Sequence, residues 1–154
     1  MKGMVLIFVG FLIMMSFAAT GFAAKKEATD PLDQSIAHGK ALFMDENLGA
    51  NMTGTSCNSC HPGGKTTGGE IQMGKMEIYI PTLVGAAATF PKYKAGAGKV
   101  VRLDQMNNMC ITMIMKGKAL NLESQESVDL AAYVTSLSYG KTMQKGKTVM
   151  MKMM

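Results

Sequence analysis

Cys57-Asn58-Ser59-Cys60-His61 sets two thiols three positions apart with an imidazole directly after the second. This is C-x-x-C-H, the spacing by which haem is attached covalently: each thiol adds across one vinyl group to form a thioether, and the histidine becomes an axial iron ligand. Two residues between the cysteines let the backbone curl so that both sulfurs reach one porphyrin edge, while the adjacent imidazole swings beneath the iron. Other chemistries also use paired thiols. A thioredoxin-type redox pair wants a strand before the motif and a helix after it, whereas Gly54, Pro62, Gly63 and Gly64 surround these cysteines with loop signals. A zinc site wants a second ligand pair, and only Cys110 and His38 remain. A plain Cys57–Cys60 disulfide is the simplest alternative. The residues favour one covalent haem c on Cys57, Cys60 and His61.

The chain that carries this motif has 154 residues, enough for one small domain with extensions. After Lys2, an apolar run over 5–17 is broken only by Gly10 and Ser16 and gives way to small residues, with a cut expected after Ala23 or Ala24. A positive start, a short apolar middle and a small-residue exit describe a secretory signal peptide over 1–24. An uncleaved anchor is the rival, although a spanning helix wants about 20 apolar residues. No stable membrane span is expected after cleavage, and the mature chain is expected in the periplasm or secreted. Export agrees with the motif, because bacterial haem attachment takes place outside the cytoplasm.

Removing Lys2 leaves 15 basic against 11 acidic residues. Over 34–140 the balance is nearly neutral, nine Lys plus Arg against eight Asp plus Glu, and from residue 141 there are four Lys and no acid. One arginine and no stripe of interleaved aromatic and basic residues argue against nucleic acid as a partner. The three cysteines, Cys57, Cys60 and Cys110, are an odd number for a compartment where thiols pair, so a disulfide framework does not account for them.

Three helices should position the motif. Asp30-Pro31 reads as an N-cap and first helical residue, with Asp33 in the first turn. A helix over 31–44 follows, with Ile36, Gly39, Leu42 and Phe43 on one face. A second is expected over 102–116, ended by Gly117, with Leu103, Met106, Cys110, Met113 and Ile114 on its apolar side. A third should start near Ser124 and end before Gly140, with Leu130, Tyr133, Val134 and Leu137 as its stripe. Gly-rich loops join them, including 63–74, and no segment alternates as a strand should. The fold class expected is all-α.

The order of G-K-A-L-F (Gly39 to Phe43), CxxCH, P-T-L (Pro81 to Leu83) and L-A-A-Y (Leu130 to Tyr133) resembles a single-haem class I c-type cytochrome over 34–140. The resemblance implies that Gly39, Phe43 and Tyr133 meet where the first and last helices cross. The domain plan is then a signal peptide at 1–24, a linker at 25–33, a cytochrome c domain at 34–140 and a Lys/Met-rich tail at 141–154. A narrower likeness lies in "PTLVGAAATFPKYKAG" and "MCITMIMKGKALNLESQESVDLAAYVTSLSYG". These are similar to the amino-terminal cytochrome domain of thiosulfate dehydrogenases and related sulfur-oxidation cytochromes. By position, that family's second axial ligand, a helix cysteine, is Cys110.

Read without the likeness, Cys110 is a small apolar residue on a helix face. Methionine competes for the distal position, since a thioether is the usual ligand of electron-carrying cytochromes c, and Met106 and Met113 share that face while Met109 and Met115 lie close by. The distinction has chemical weight: a thiolate stabilises ferric iron, whereas methionine raises the potential. The thiosulfate-oxidising relatives place an anion-binding arginine four residues before the ligand cysteine, where this chain has Met106. Arg102 lies one turn further back, and Lys116 and Lys118 are more simply solvated. A single CxxCH is present, whereas the catalytic relatives tend to carry a second haem.

The expectation is therefore an exported electron carrier working with redox protein partners, linked to sulfur-compound oxidation. A thiosulfate- or tetrathionate-type oxidoreductase, or its haem subunit, is the alternative. A copper-handling or redox-sensing module is the third reading, because the tail holds five methionines, whose thioethers favour Cu(I). Its plainer reading is a loosely docked extension. His38 is expected at the surface.

Overall fold

The computed structural model describes residues 30–66, 68–73 and 76–146. The expected signal peptide, the linker up to residue 29 and the last eight residues of the tail lie outside the described residues. Helix α1 (Pro31–Met44) begins as expected, with the Asp30 carboxylate accepting from Leu32 N at 2.8 Å and Pro31 in the first turn. The last three residues assigned to the linker therefore belong to this helix. Helix α4 (Gln125–Ser136) is capped by Ser124, whose hydroxyl accepts from Ser127 N.

These two helices make the main helix contact of the fold. Gly39 permits it: a Cβ built there would strike the Asp129 carbonyl oxygen and lie 2.9 Å from Tyr133 Cβ. One turn on, the rings of Phe43 and Tyr133 meet edge to face, with centroids 5.1 Å apart. The trio implied by the cytochrome resemblance is thus assembled at the crossing. Phe43, Leu130, Tyr133 and Val134 join Leu48, Ile111 and Met115 in one buried cluster, and Ile36, Leu42, Cys57 and Leu137 pack against its edge.

Asp129, also at the crossing, is buried and accepts hydrogen bonds from Ser35 and from Gln125 (2.7 Å). His38 approaches it at 3.6 Å but is itself 73% exposed, at the surface as expected. Burial opposes the charge of Asp129, yet Ser35, Gln125 and His38 outweigh it and hold its pKa below the ordinary carboxylate value. A carboxylate depressed in the folded state stabilises the fold above its unfolded pKa, about 4, and that contribution is lost as pH falls through the folded value. Asp129→Asn should therefore lower the melting temperature at neutral pH, and the gap to the parent should shrink below about pH 4. Parallel melts across pH check this; a gap that stays constant into acid would assign the loss to hydrogen-bond geometry instead of charge.

The chain departs from the all-α expectation in two places. Strands β1 (Glu70–Met73) and β2 (Met76–Tyr79) pair antiparallel with Ile71 opposite Ile78. Strands β3 (Lys92–Lys94) and β4 (Lys99–Val101) pair with Lys92 opposite Val101 and Lys94 opposite Lys99. Each is too short for a period of two to rise above chance, and each lies in a Gly-rich stretch that reads as loop. The domain is mostly helical with two small hairpins.

The second helix also differs. Helix α3 (Leu103–Met109) is regular, but Cys110–Ile114 winds as a π-helix, with Met115 N donating to Cys110 O at 3.1 Å. The widened turn changes which residues face inward: Ile111 and Met115 are buried, while Leu103, Met106, Cys110, Met113 and Ile114 are half-buried. The segment closes at Lys116, which has φ 58°, one residue before the expected Gly117. Gly117 is required for close approach, since a Cβ there would stand 3.0 Å from Gly49 O. At the start of the tail, Gln144 N donates to Ala88 O at 2.9 Å, so residues up to 146 lie along the body of the domain.

Candidate haem site

The CxxCH motif is a single helical turn, α2 (Cys57–Cys60), rather than loop. Local hydrogen bonds make it: Ser56 N donates to Ser59 Oγ at 3.1 Å, and His61 N closes the turn on Cys57 O at 2.9 Å. This curl brings Cys57, Cys60 and His61 to successive positions around one short axis. The chain then reverses through Pro62-Gly63-Gly64, with Asn58 Oδ1 accepting from Gly63 N at 2.9 Å. Gly63 and Gly64 take φ 59° and 79°, and a Cβ on Gly64 would strike Leu137, so the reversal docks directly against the end of α4. Leu83 N donates to Gly64 O at 2.8 Å, which ties the P-T-L segment to the same place.

Burial lowers the His61 pKa, partly countered by backbone groups of Pro81 and Lys65, so the ring stands neutral near pH 7. Among the described residues its Nδ1 is buried without a hydrogen-bond partner. A neutral, fixed imidazole is the form that ligates a metal. Cys57 packs at the edge of the core, and burial pushes its thiol up to about 12, helped by Cys110 and Cys60 nearby. Cys110 is pushed up to about 11, first by burial, with Cys60 adding to the rise and the Lys94 ammonium opposing it. The third cysteine therefore lies within electrostatic reach of the CxxC pair, although 50 residues separate them in sequence. All three are free thiols. Two thiols on one turn, a neutral imidazole after them and a third thiol within electrostatic reach of the pair make a donor set that fits haem iron and its two vinyl attachments.

Asn108 secures the far side. Its carboxamide donates to Leu120 O and accepts from Leu120 N, both at 2.8 Å, fastening the chain after the π segment back onto α3. Asn107, three residues before Cys110, has a buried amide nitrogen without a hydrogen-bond partner among the described residues. Met106 and Met113 are half-buried near Cys110, whereas Met115 belongs to the core. Arg102 does not face the thiols: its guanidinium grips Asp104 in a two-pronged pair (Nη2 to Oδ2 2.8 Å, Nε to Oδ1 3.1 Å) and is exposed. The cation whose charge acts on Cys110 is Lys94, which sequence reasoning missed. Its signal was the alternation of Lys92 and Lys94 about Tyr93, visible only once the segment is known to be a strand.

A CxxCH turn set against crossed first and last helices is the arrangement of a c-type cytochrome domain. The family model of the SoxA/TsdA cytochrome c domain matches residues 38–143, and the chain belongs to that family. Haem c, covalently bound, is its cofactor, and iron-based electron transfer its chemistry. The chain is 33% identical over 115 residues to a thiosulfate dehydrogenase of Allochromatium vinosum, covering 71% of this chain and 39% of that protein. It thus spans about two-fifths of the length of that relative. Among solved structures, SoxXA from P. pantotrophus superposes with a TM-score of 0.57 at 20% identity, over 75% of this chain and 37% of that one. Thiosulfate dehydrogenase (TsdBA) from Marichromatium purpuratum gives 0.58 at 18% identity, over 77% and 25%. These two support the fold alone. Among the described residues no helix is long and apolar enough to cross a membrane.

Proposed function

We propose that this chain is an exported monohaem cytochrome with a class I fold, attached to haem through Cys57 and Cys60 and ligated by His61 and Cys110, serving sulfur-compound oxidation in the periplasm. Bound haem iron supplies one-electron chemistry, cycling between ferric and ferrous states. The protein's part is to hold His61 neutral and fixed, to bring a sulfur donor from the π segment and to keep both in apolar surroundings. What supports the reading is the charge interaction of Cys110, the first residue of the π-helix, with Cys57 and Cys60. In that wider winding each residue turns through a smaller angle than in an α-helix, so Met113 falls further from the face of Cys110 than regular geometry would put it. This supports Cys110 over Met113 as the distal ligand, and Met106, in the regular turn before it, is distinguished by the variants below.

Ferric holoprotein should show a low-spin thiolate signal in electron paramagnetic resonance and lack the long-wavelength band of methionine ligation. Cys110→Ala should abolish that signal and raise the reduction potential, whereas Met106→Ala and Met113→Ala should leave it intact. Retention of the parent spectrum by Cys110→Ala would overturn cysteine ligation.

A second reading is that the domain itself acts on a sulfur oxyanion, alone or as the haem subunit of a redox complex. The likeness to thiosulfate dehydrogenase favours it. Turnover of thiosulfate by isolated holoprotein separates it from simple electron carriage.

A further inference from the structure

Asn107 and Asn108 are neighbours near the end of α3, yet the fold treats their carboxamides differently. Asn108 satisfies both ends of its amide on Leu120. The Asn107 amide nitrogen is buried, and among the described residues nothing accepts a hydrogen bond from it. A buried donor without an acceptor costs free energy, and asparagine is a poor helix former. Neither packing nor propensity therefore accounts for an asparagine at this half-buried position.

Helix winding sets this donor in line with Cys110. The two residues are three apart, and the Cys110 N–H is shared between Met106 O and Asn107 O. The bond to Asn107 O draws the turn toward 3₁₀ geometry, in which side chains at i and i+3 eclipse. Helical side chains also lean toward the N-terminus, which carries the Cys110 side chain back toward the turn of Asn107. Asn108, about 100° further round the helix, clasps Leu120 on a different side. A neutral thiol is a weak acceptor, whereas an ionised sulfur held by a metal carries charge that a buried N–H can meet.

We propose that the Asn107 amide donates a hydrogen bond to the Cys110 sulfur in holoprotein and thereby sets the haem potential. This rests on the His61/Cys110 reading above and deepens it. Asn107 is a positioning residue, acting on iron only through the ligand sulfur. That sulfur bears more negative charge when iron is ferrous, so the hydrogen bond favours the reduced form and lifts the potential above that of a thiolate without a donor.

The test is redox titration of holoprotein, with electron paramagnetic resonance of its ferric form. Asn107→Leu should lower the potential by on the order of 59 mV, a tenfold change in the ferric-to-ferrous ratio at fixed poise, and should move the g-values of the thiolate signal. Asn107→Ala should shift both in the same direction, which guards against a leucine that packs badly. Asn107→Gln keeps the donor and should lie nearer the parent than either. Thr112→Val, at an exposed position of the π segment, should match the parent. In a Cys110→Ala background, Asn107→Leu should leave the potential unchanged. Parent-like potential and g-values in both Asn107→Leu and Asn107→Ala would overturn the proposal, as would a Gln variant shifted as far as the Leu variant. So would a shift that persists undiminished in the Cys110→Ala background, because the amide would then serve a haem carboxylate. If Cys110→Ala keeps the parent spectrum, the ligand reading itself fails; if it loses the thiolate signal while the Asn107 variants match the parent, only the hydrogen bond does.

Discussion

Cys57→Ser/Cys60→Ser protein, produced with working haem-attachment machinery, is expected to emerge colourless and at the mass of the processed polypeptide alone. The turn that carries both sulfurs is built from its own short hydrogen bonds, Ser56 to Ser59 and His61 to Cys57, so the substitutions leave the backbone able to form it. What they remove is the only pair of thiols on one helical turn. Serine hydroxyls do not add to vinyl groups under the conditions in which thiols do. The loss should extend beyond colour, because Cys57 contacts the apolar cluster of Phe43, Ile111, Leu130 and Tyr133, and a covalent haem is the largest apolar body available to complete it. The effect is read by intact mass and by the Soret band, with circular dichroism following the fold. Retention of one haem mass by the double variant would sink the attachment assignment.

Gly39→Ala should cost the domain much of its stability. The added methyl group points at the backbone of Asp129, and a carbonyl cannot rotate aside as a side-chain tip can. Either α1 and α4 separate, breaking the Phe43 to Tyr133 ring contact, or the backbone distorts around Asp129 and its hydrogen bonds to Ser35 and Gln125. Overpacking in a well-filled core typically costs about 1–3 kcal/mol, and contact with main chain at a helix crossing belongs at or above the top of that range. Against a total of about 5–15 kcal/mol, this is a large share. Thermal unfolding of holoprotein should show a melting temperature lower by on the order of 10 °C. A shift of a degree or two would mean that the helices cross with more room than the structure gives them.

Much of this was legible in the sequence because the relevant signals are local. Asp30-Pro31 and Ser124 mark helix starts by chemistry that acts within three residues, and the structure begins α1 and α4 there. The CxxCH spacing is equally local, and its three donors share one turn. The Gly39, Phe43 and Tyr133 crossing was accessible through a family likeness, since nothing within either helix states which partner it meets. The misses share a different cause. Strands of three and four residues carry too few positions for alternation to register, although the Gly74-Lys75 pair between two short apolar runs was a usable hairpin cue. The π winding at Cys110 depends on the docking of the chain after it, where Asn108 clasps Leu120 and Gly117 nestles against Gly49. Lys94 escaped notice because its charge acts on Cys110 across the fold, and spacing along the chain does not record that.

The π-helix also bears on how such a domain can change over generations. It differs from an ordinary α-helix by the equivalent of one extra residue accommodated in the turn. Loss of a single codon between Cys110 and Ile114 would let the turn relax and rotate everything downstream, taking Met115 out of the core and Gly117 off Gly49. Descendants of such a domain are therefore freer to exchange side chains along this stretch than to change its length.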